Sequence, residues 1–123
     1  MMRGLGLAAL AALSACIGPT TGLGTGQTYQ ALGHDPAWTL TIRDGSLNFA
    51  GSDPQTLMRL IAPPPQALAY GRRYTTERLT LEISSEPCND AKSGVAFSET
   101  VIVVVDGYKH EGCGGERVPL LNI

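Results

Sequence analysis

The chain has 123 residues, of which 43% are hydrophobic and only 16% charged, with nine Lys plus Arg against eleven Asp plus Glu for a formal net charge of −2. One small domain with one core is what this length allows. The longest basic cluster is Arg72-Arg73, which argues against a nucleic-acid partner, and no glycine-rich phosphate loop leads from a strand into a helix.

Met1-Met2-Arg3 gives a short positive start, and residues 4–12 are uncharged Leu, Ala and Gly, the layout of a signal peptide. Counted on to Ile17, the apolar run is still shorter than the roughly 18 to 20 residues that span a bilayer as a helix. It is not expected to persist as an anchor. Its end, Leu13-Ser14-Ala15-Cys16, resembles the lipobox of bacterial lipoproteins. The resemblance implies cleavage before Cys16, a diacylglyceride on its sulfur and acylation of the new amino terminus. Each buried methylene contributes about 0.8 kcal/mol, so two or more acyl chains give stable attachment where one gives marginal attachment. Ile17 stands where, in some bacteria, an Asp resembles an inner-membrane retention signal, so the expected address is the outer membrane, facing the periplasm. The residues by themselves also admit an uncleaved buried helix, or a secreted protein with a coincidental cysteine.

Loss of the leader removes Arg3 and leaves eight basic against eleven acidic residues, a formal −3. Gly18 to Thr28 (GPTTGLGTGQT) is uncharged, rich in Gly and Thr, and has the composition of a flexible tether. The expected organisation is therefore a leader at 1–15, a lipid anchor and tether at 16–28, and a folded domain at 29–123.

Periodicity in that domain is that of strands. Trp38, Leu40 and Ile42 alternate with Thr39, Thr41 and Arg43, and Asp44-Gly45 before Leu47 and Phe49 signals a hairpin. Trp38 in this register reads as core. Asp53-Pro54 has the form of a helix start for 57–61, which Pro63-Pro64-Pro65 would end; the segment is ambiguous, with strand preferred. Tyr70 to Thr76 reads as a strand broken by Gly71, pairing with the alternating Leu79, Leu81 and Ile83. Thr100 to Val105 is β-branched throughout, as in a strand covered on both faces, and Asp106-Gly107 turns it back toward Tyr108 and Cys113. The expected fold is all-β: a small antiparallel barrel or sandwich of six to eight short strands. A barrel would also hide strand edges that few charges guard.

If lipid consumes Cys16, then Cys88 and Cys113 remain as a pair in a compartment that permits oxidation, and a disulfide is expected between them. The competing uses are a zinc site helped by His34 and His110, which lacks the usual spacing, and a reactive thiol. His34-Asp35 and His110-Glu111 would form an acid–base or metal cluster only if the fold set the first strand beside the last. Asp90 reads as a turn-former bonding its own backbone, and Arg72-Arg73 as a solvated pair or a contact to anionic headgroups. Two His and scattered Ser offer no complete nucleophile, base and orienting group, so no enzyme, metal or cofactor is expected.

Tyr29 to Ile42 (YQALGHDPAWTLTI) resembles the opening of a family of small bacterial envelope lipoproteins, in which an aromatic, a glycine, an acidic-proline pair and a tryptophan lead into the first long strand. Cys88-Asn89-Asp90, Ser93-Gly94, Phe97 and Gly112-Cys113 are similar to that family's later signature, while His34-Asp35 and Ala37 depart from it. This implies a fold and a compartment, and no activity. Ser93-Gly94-Val95-Ala96-Phe97 is also similar to a Ser-Gly-x-x-Tyr stretch in the envelope inhibitors of C-type lysozyme, which are small disulfide-bonded barrels. That likeness would make Ser93 a hydroxyl donor and Lys92 or Lys109 a cation aimed at the two lysozyme carboxylates. Ser-Gly before a strand is equally an ordinary turn. The expected function is a non-enzymatic, lipid-anchored domain that binds a protein partner or supports the envelope, with Lys92, Ser93, Phe97 and Lys109 as contacts. The alternatives are lysozyme inhibition and carriage of a small apolar ligand inside the barrel.

Overall fold

The computed structural model describes residues 27–118; the leader, Cys16 and most of the tether lie outside the described residues. Ten strands and no helix occupy this span: β1 (Thr28–Gly33), β2 (Trp38–Arg43), β3 (Ser46–Ser52), β4 (Gln55–Ile61), β5 (Gln66–Leu68), β6 (Gly71–Thr75), β7 (Leu79–Ser84), β8 (Cys88–Asp90), β9 (Val95–Val105) and β10 (Tyr108–Val118). They form one antiparallel sheet in the order β4-β3-β2-β1-β10-β9-β7-β6-β5, with β8 added to β9. Residues 62–65 join β4 to β5 in the chain, and no ladder pairs these two ends of the sheet among the described residues.

Alternation sets which face is buried. Trp38, Leu40 and Ile42 of β2, with Leu47 and Phe49 of β3, point to the same interior as Leu79, Leu81 and Ile83 of β7 and Val101, Val103 and Val105 of β9. These strands come from opposite halves of the sheet, so the sheet curls until its inner faces meet. A two-residue step flips each side chain back to the same face, so a register slip by one would expose the whole set at once. The expected hairpins form at Asp44-Gly45 and Asp106-Gly107. In each turn both residues have positive φ, at 48° and 78° and at 49° and 88°, the twist that matches two right-handed strands.

The all-β antiparallel architecture is as expected, and its details differ in three places. The strand count is ten, because β1, β5 and β8 were not anticipated; β5 and β8 have three residues each, too few to show a period. The segment 57–61 is strand, the preferred of its two readings, with Asp53-Pro54 forming the two-residue turn between β3 and β4. Gly71 begins β6 instead of breaking it, and it is glycine because a Cβ there would overlap the Ile83 carbonyl on β7. Over Thr100 to Val105, strand β9 is buried on one face only: Val101, Val103 and Val105 are inside, whereas Ile102 and Val104 are half-buried on the outer face.

The expected disulfide is present, joining Cys88 to Cys113 with a Cα–Cα separation of 5.5 Å across 25 residues of chain. On the chain-entropy model, closing such a loop stabilises the fold by about 3–4 kcal/mol. Strand β8 is thereby tied to β10 although it hydrogen-bonds only to β9.

Interior and rim of the sheet should separate in a urea titration. Leu81, with 0% exposure, lies at the centre of the packed cluster, whereas Leu57 is 88% exposed. Leu81→Ala is expected to cost about 2–5 kcal/mol, and Leu57→Ala to remain within about 0.5 kcal/mol of the parent. Equal midpoint shifts for the two would contradict the curled-sheet core.

Candidate functional site

The short strand β8 and the loop after it carry the most organised polar cluster among the described residues. Asp90 closes β8 and is 92% buried, since only 8% of it is exposed. Its carboxylate accepts a hydrogen bond from Ser93 Oγ at 2.6 Å and lies 3.1 and 3.2 Å from His34 Nε2 through its two oxygens. Its backbone carbonyl accepts from Gly94 N at 2.8 Å, and Ser93 Oγ in turn accepts from Val95 N at 3.2 Å. The loop from Ala91 to Gly94 is therefore folded back on Asp90, while His34, at the turn after β1, reaches across from a residue 56 positions away.

The Ser93 hydrogen bond holds the Asp90 carboxyl below its usual range, and His34 adds a further hydrogen bond and its charge; partial burial opposes both. Such a carboxylate is a weak base. The wiring is also wrong for nucleophilic catalysis, which needs an imidazole between hydroxyl and carboxylate. Here the carboxylate stands between hydroxyl and imidazole. This arrangement fixes a loop.

Next to the clasp is an open cleft of about 320 Å³. Its walls are His34 and Asp35 on one side, Asn89 to Lys92 on the loop, and Glu111 and Gly112 of β10, with the disulfide between them. Lys92 Nζ stands 3.9 Å from Asp35 Oδ1, and Lys109 Nζ 3.2 Å from Glu111 Oε2, with all four side chains between 58% and 82% exposed. Pairs this exposed contribute about 0–1 kcal/mol. Each of these charges can therefore exchange its present partner for one on another molecule at little cost.

Of the residues expected to meet a partner, Lys92 and Ser93 lie at the cleft or its loop, and Lys109 adjoins it through Glu111. Phe97 does not join them: it is only 7% exposed and pairs with Cys88 and Arg117 inside the sheet. The Ser93 hydroxyl is directed at Asp90. Strands β1 and β10 are neighbours, as a His34-Asp35 and His110-Glu111 cluster would require. Alternation nevertheless sends His110 inward and Glu111 outward. The His110 ring packs 5.3 Å from Phe49 and 6.3 Å from Trp38, and burial lowers its pKa. No group of three His, Cys, Asp or Glu suited to a metal occurs among the described residues.

Two readings of the sequence change. Asp90 does more than close its own turn, because its side chain binds Ser93 and His34. Arg72 and Arg73 are engaged within the sheet, Arg72 with Glu99 at 3.2 Å and over the Tyr29 ring at 5.3 Å, and Arg73 with Glu82 at 2.6 Å. Cys-x-Asp-x-x-Ser is the spacing that signals the clasp, since it sets a carboxylate at the strand end and a hydroxyl one turn later. Trp38 is core, 2% exposed, stacked on Phe49 at 6.0 Å, and its Nε1 donates to Glu111 O at 3.3 Å, so the innermost aromatic also steadies the cleft wall. Comparison with protein-family models, curated proteins and solved structures gives no match for the chain.

The clasp has a pH signature. A carboxyl whose folded pKa lies below its unfolded value adds stability above the unfolded pKa, and this is lost as pH falls through the folded one. Ser93→Ala removes the largest cause of the depression. Its destabilisation relative to the parent is therefore expected to be full at neutral pH and to fade as pH drops below the carboxylate range. A difference that stays constant to pH 2, measured by urea titration at each pH, would mean that Ser93 acts through packing alone.

Proposed function

We propose that this chain is a non-enzymatic, lipid-anchored domain of the bacterial cell envelope, and that the cleft beside Cys88–Cys113 docks a protein partner. Cys16 carries the acyl chains, the outer membrane is the address, and the domain faces the periplasm. The reading rests on the lipobox-like Leu13-Ser14-Ala15-Cys16 and the signal-peptide layout before it, together with a disulfide of the kind that oxidising compartments permit.

A single observation supports the docking role. The clasp on Asp90 and the disulfide hold a loop and a strand end in place around a cleft, and the charges on its rim are exposed and only loosely paired. A site already ordered before binding loses little conformational entropy on association. Charges of both signs side by side give orientation and choice of partner more than raw affinity. Inside the sheet the space is occupied by Trp38, Leu40, Leu81, Val103 and their neighbours, so nothing favours carriage of an apolar ligand there. Lysozyme inhibition would be a special case of the proposal, with Lys92 as the cation and another group replacing the engaged Ser93 hydroxyl.

Affinity capture from envelope extracts of the native host, with the mature domain as bait, tests the site. A partner recovered by the parent is expected to be lost with the double variant Lys92→Glu, Lys109→Glu, at an unchanged urea midpoint. Undiminished recovery by the double variant would remove the cleft rim from the interface. Inhibition of C-type lysozyme lysis by an equimolar excess of the parent, abolished in the same variant, would identify the partner class.

A further inference from the structure

The two halves of the sheet differ in where their charges lie. Strands β1 to β4 contain Arg43 and Arg59 and no Asp or Glu, the acids of this half (Asp35, Asp44 and Asp53) standing in its turns, whereas β5 to β10 hold Glu82, Asp90, Glu99, Glu111 and Glu116 within the strands beside Arg72, Arg73, Lys109 and Arg117. The β1–β4 half also bears the two most exposed large aliphatic side chains among the described residues, Leu57 at 88% and Ile61 at 86%. Both lie on the outer face of β4, four residues apart, with exposed Arg59 between them and bonded through Nε to Asn48 Oδ1 at 3.2 Å. Near them Arg43 lies 3.7 Å from the turn residue Asp44, both more than half exposed.

Position relative to the tether makes this arrangement informative. Thr28 pairs with Arg43, Arg43 with Ser46 and Ser46 with Ile61, so the first strand residue after the tether and Ile61 stand in one cross-strand row. Three neighbour spacings of about 4.8 Å place them about 14 Å apart. Ten residues separate Cys16 from Gln27, and such a stretch reaches no farther than about 40 Å even when fully extended. A lipid on Cys16 therefore lets the outward face of β1 to β4, next to the point where the tether enters the sheet, reach the bilayer.

We propose that this face lies on the phospholipid surface, with Leu57 and Ile61 entering the boundary between headgroups and acyl chains, and Arg59 and Arg43 at the phosphates. The proposal rests on the lipid-anchor reading and assigns the domain's orientation on the membrane. Exposed aliphatics with an arginine between them and no carboxylate on the strand itself, the nearby Asp44 sitting in a turn beside Arg43, are a composition that an interface of apolar tails and anionic phosphates favours. A second copy of the chain fits the same strand less well. An antiparallel β4–β4 pairing that sets Leu57 opposite Ile61 also sets Arg59 opposite Arg59, and like charges directly opposed destabilise a strand pair. With β1 to β4 on the membrane, the cleft loop after β8 belongs to the other half of the sheet.

Full-length protein processed in the native host and reconstituted in vesicles of phosphatidylethanolamine and phosphatidylglycerol provides the test. Leu57→Cys, Ile61→Cys and, as a control in the exposed β6–β7 turn, Glu77→Cys each carry a polarity-sensitive fluorophore. The probes at 57 and 61 are expected to shift to the blue on vesicles and to be quenched several-fold more than that at 77 by a nitroxide near the lipid headgroup. Equal quenching at all three positions, on protein that floats with the vesicles, would overturn the docking face while the anchor stands. Protein that does not float would overturn both. Protection of 57 and 61 without vesicles, rising with protein concentration, would assign β4 to a second copy instead.

Discussion

Everything distinctive about this domain depends on the covalent link between Cys88 and Cys113. Strand β8 has three residues and a single hydrogen-bonded neighbour, too little to hold a strand against the entropy of ordering it. The disulfide attaches it to β10 as well, and Asp90, two residues on, is thereby carried to His34 and Ser93. Cleft, clasp and loop conformation all follow from that attachment. Bonds of this kind persist where thiols are not kept reduced, as the proposed envelope location would provide.

The rest of the fold stands on alternation. Leu, Ile and Val at every second position of β2, β3, β7 and β9 meet in one interior, and dispersion and apolar burial there account for most of what favours the folded chain. Polar atoms in that interior are few. Among the described residues the His110 Nδ1 is buried without a hydrogen-bond partner, and burial lowers the His110 pKa. Among the described residues no ladder pairs the two ends of the sheet, and β4 is left as an edge strand. An edge of seven residues without Lys, Pro or a bulge is ordinarily covered by something.

How much of this was legible in the chain depended on whether a feature was local. The Asp-Gly turns, the Trp38 register and the cysteine pairing were legible because each rests on neighbouring residues or on a count. Strand β4 was ambiguous because Leu57, Met58, Leu60 and Ile61 are apolar on both faces, and only the structure shows that Met58 is inside while Leu57 and Ile61 face out. Thr100 to Val105 misled for the converse reason: β-branched residues satisfy strand preference on an outer face as readily as on an inner one. Asp90 was read as a turn residue because its second role needs His34, which only the long-range pairing of β1 with β10 brings near. Phe97 looked like a contact residue in its motif and is buried because β8 pairs alongside it.

The proposed compartment and the observed fold divide the three cysteines, with Cys88 and Cys113 bridged and Cys16 proposed to carry the lipid. Peptide mapping by mass spectrometry, under non-reducing conditions on protein from its native host, tests that division directly. The account predicts an amino-terminal peptide that begins at acylated Cys16 and a linked pair containing Cys88 and Cys113. An intact Met1, or free thiols at both later cysteines, would contradict it.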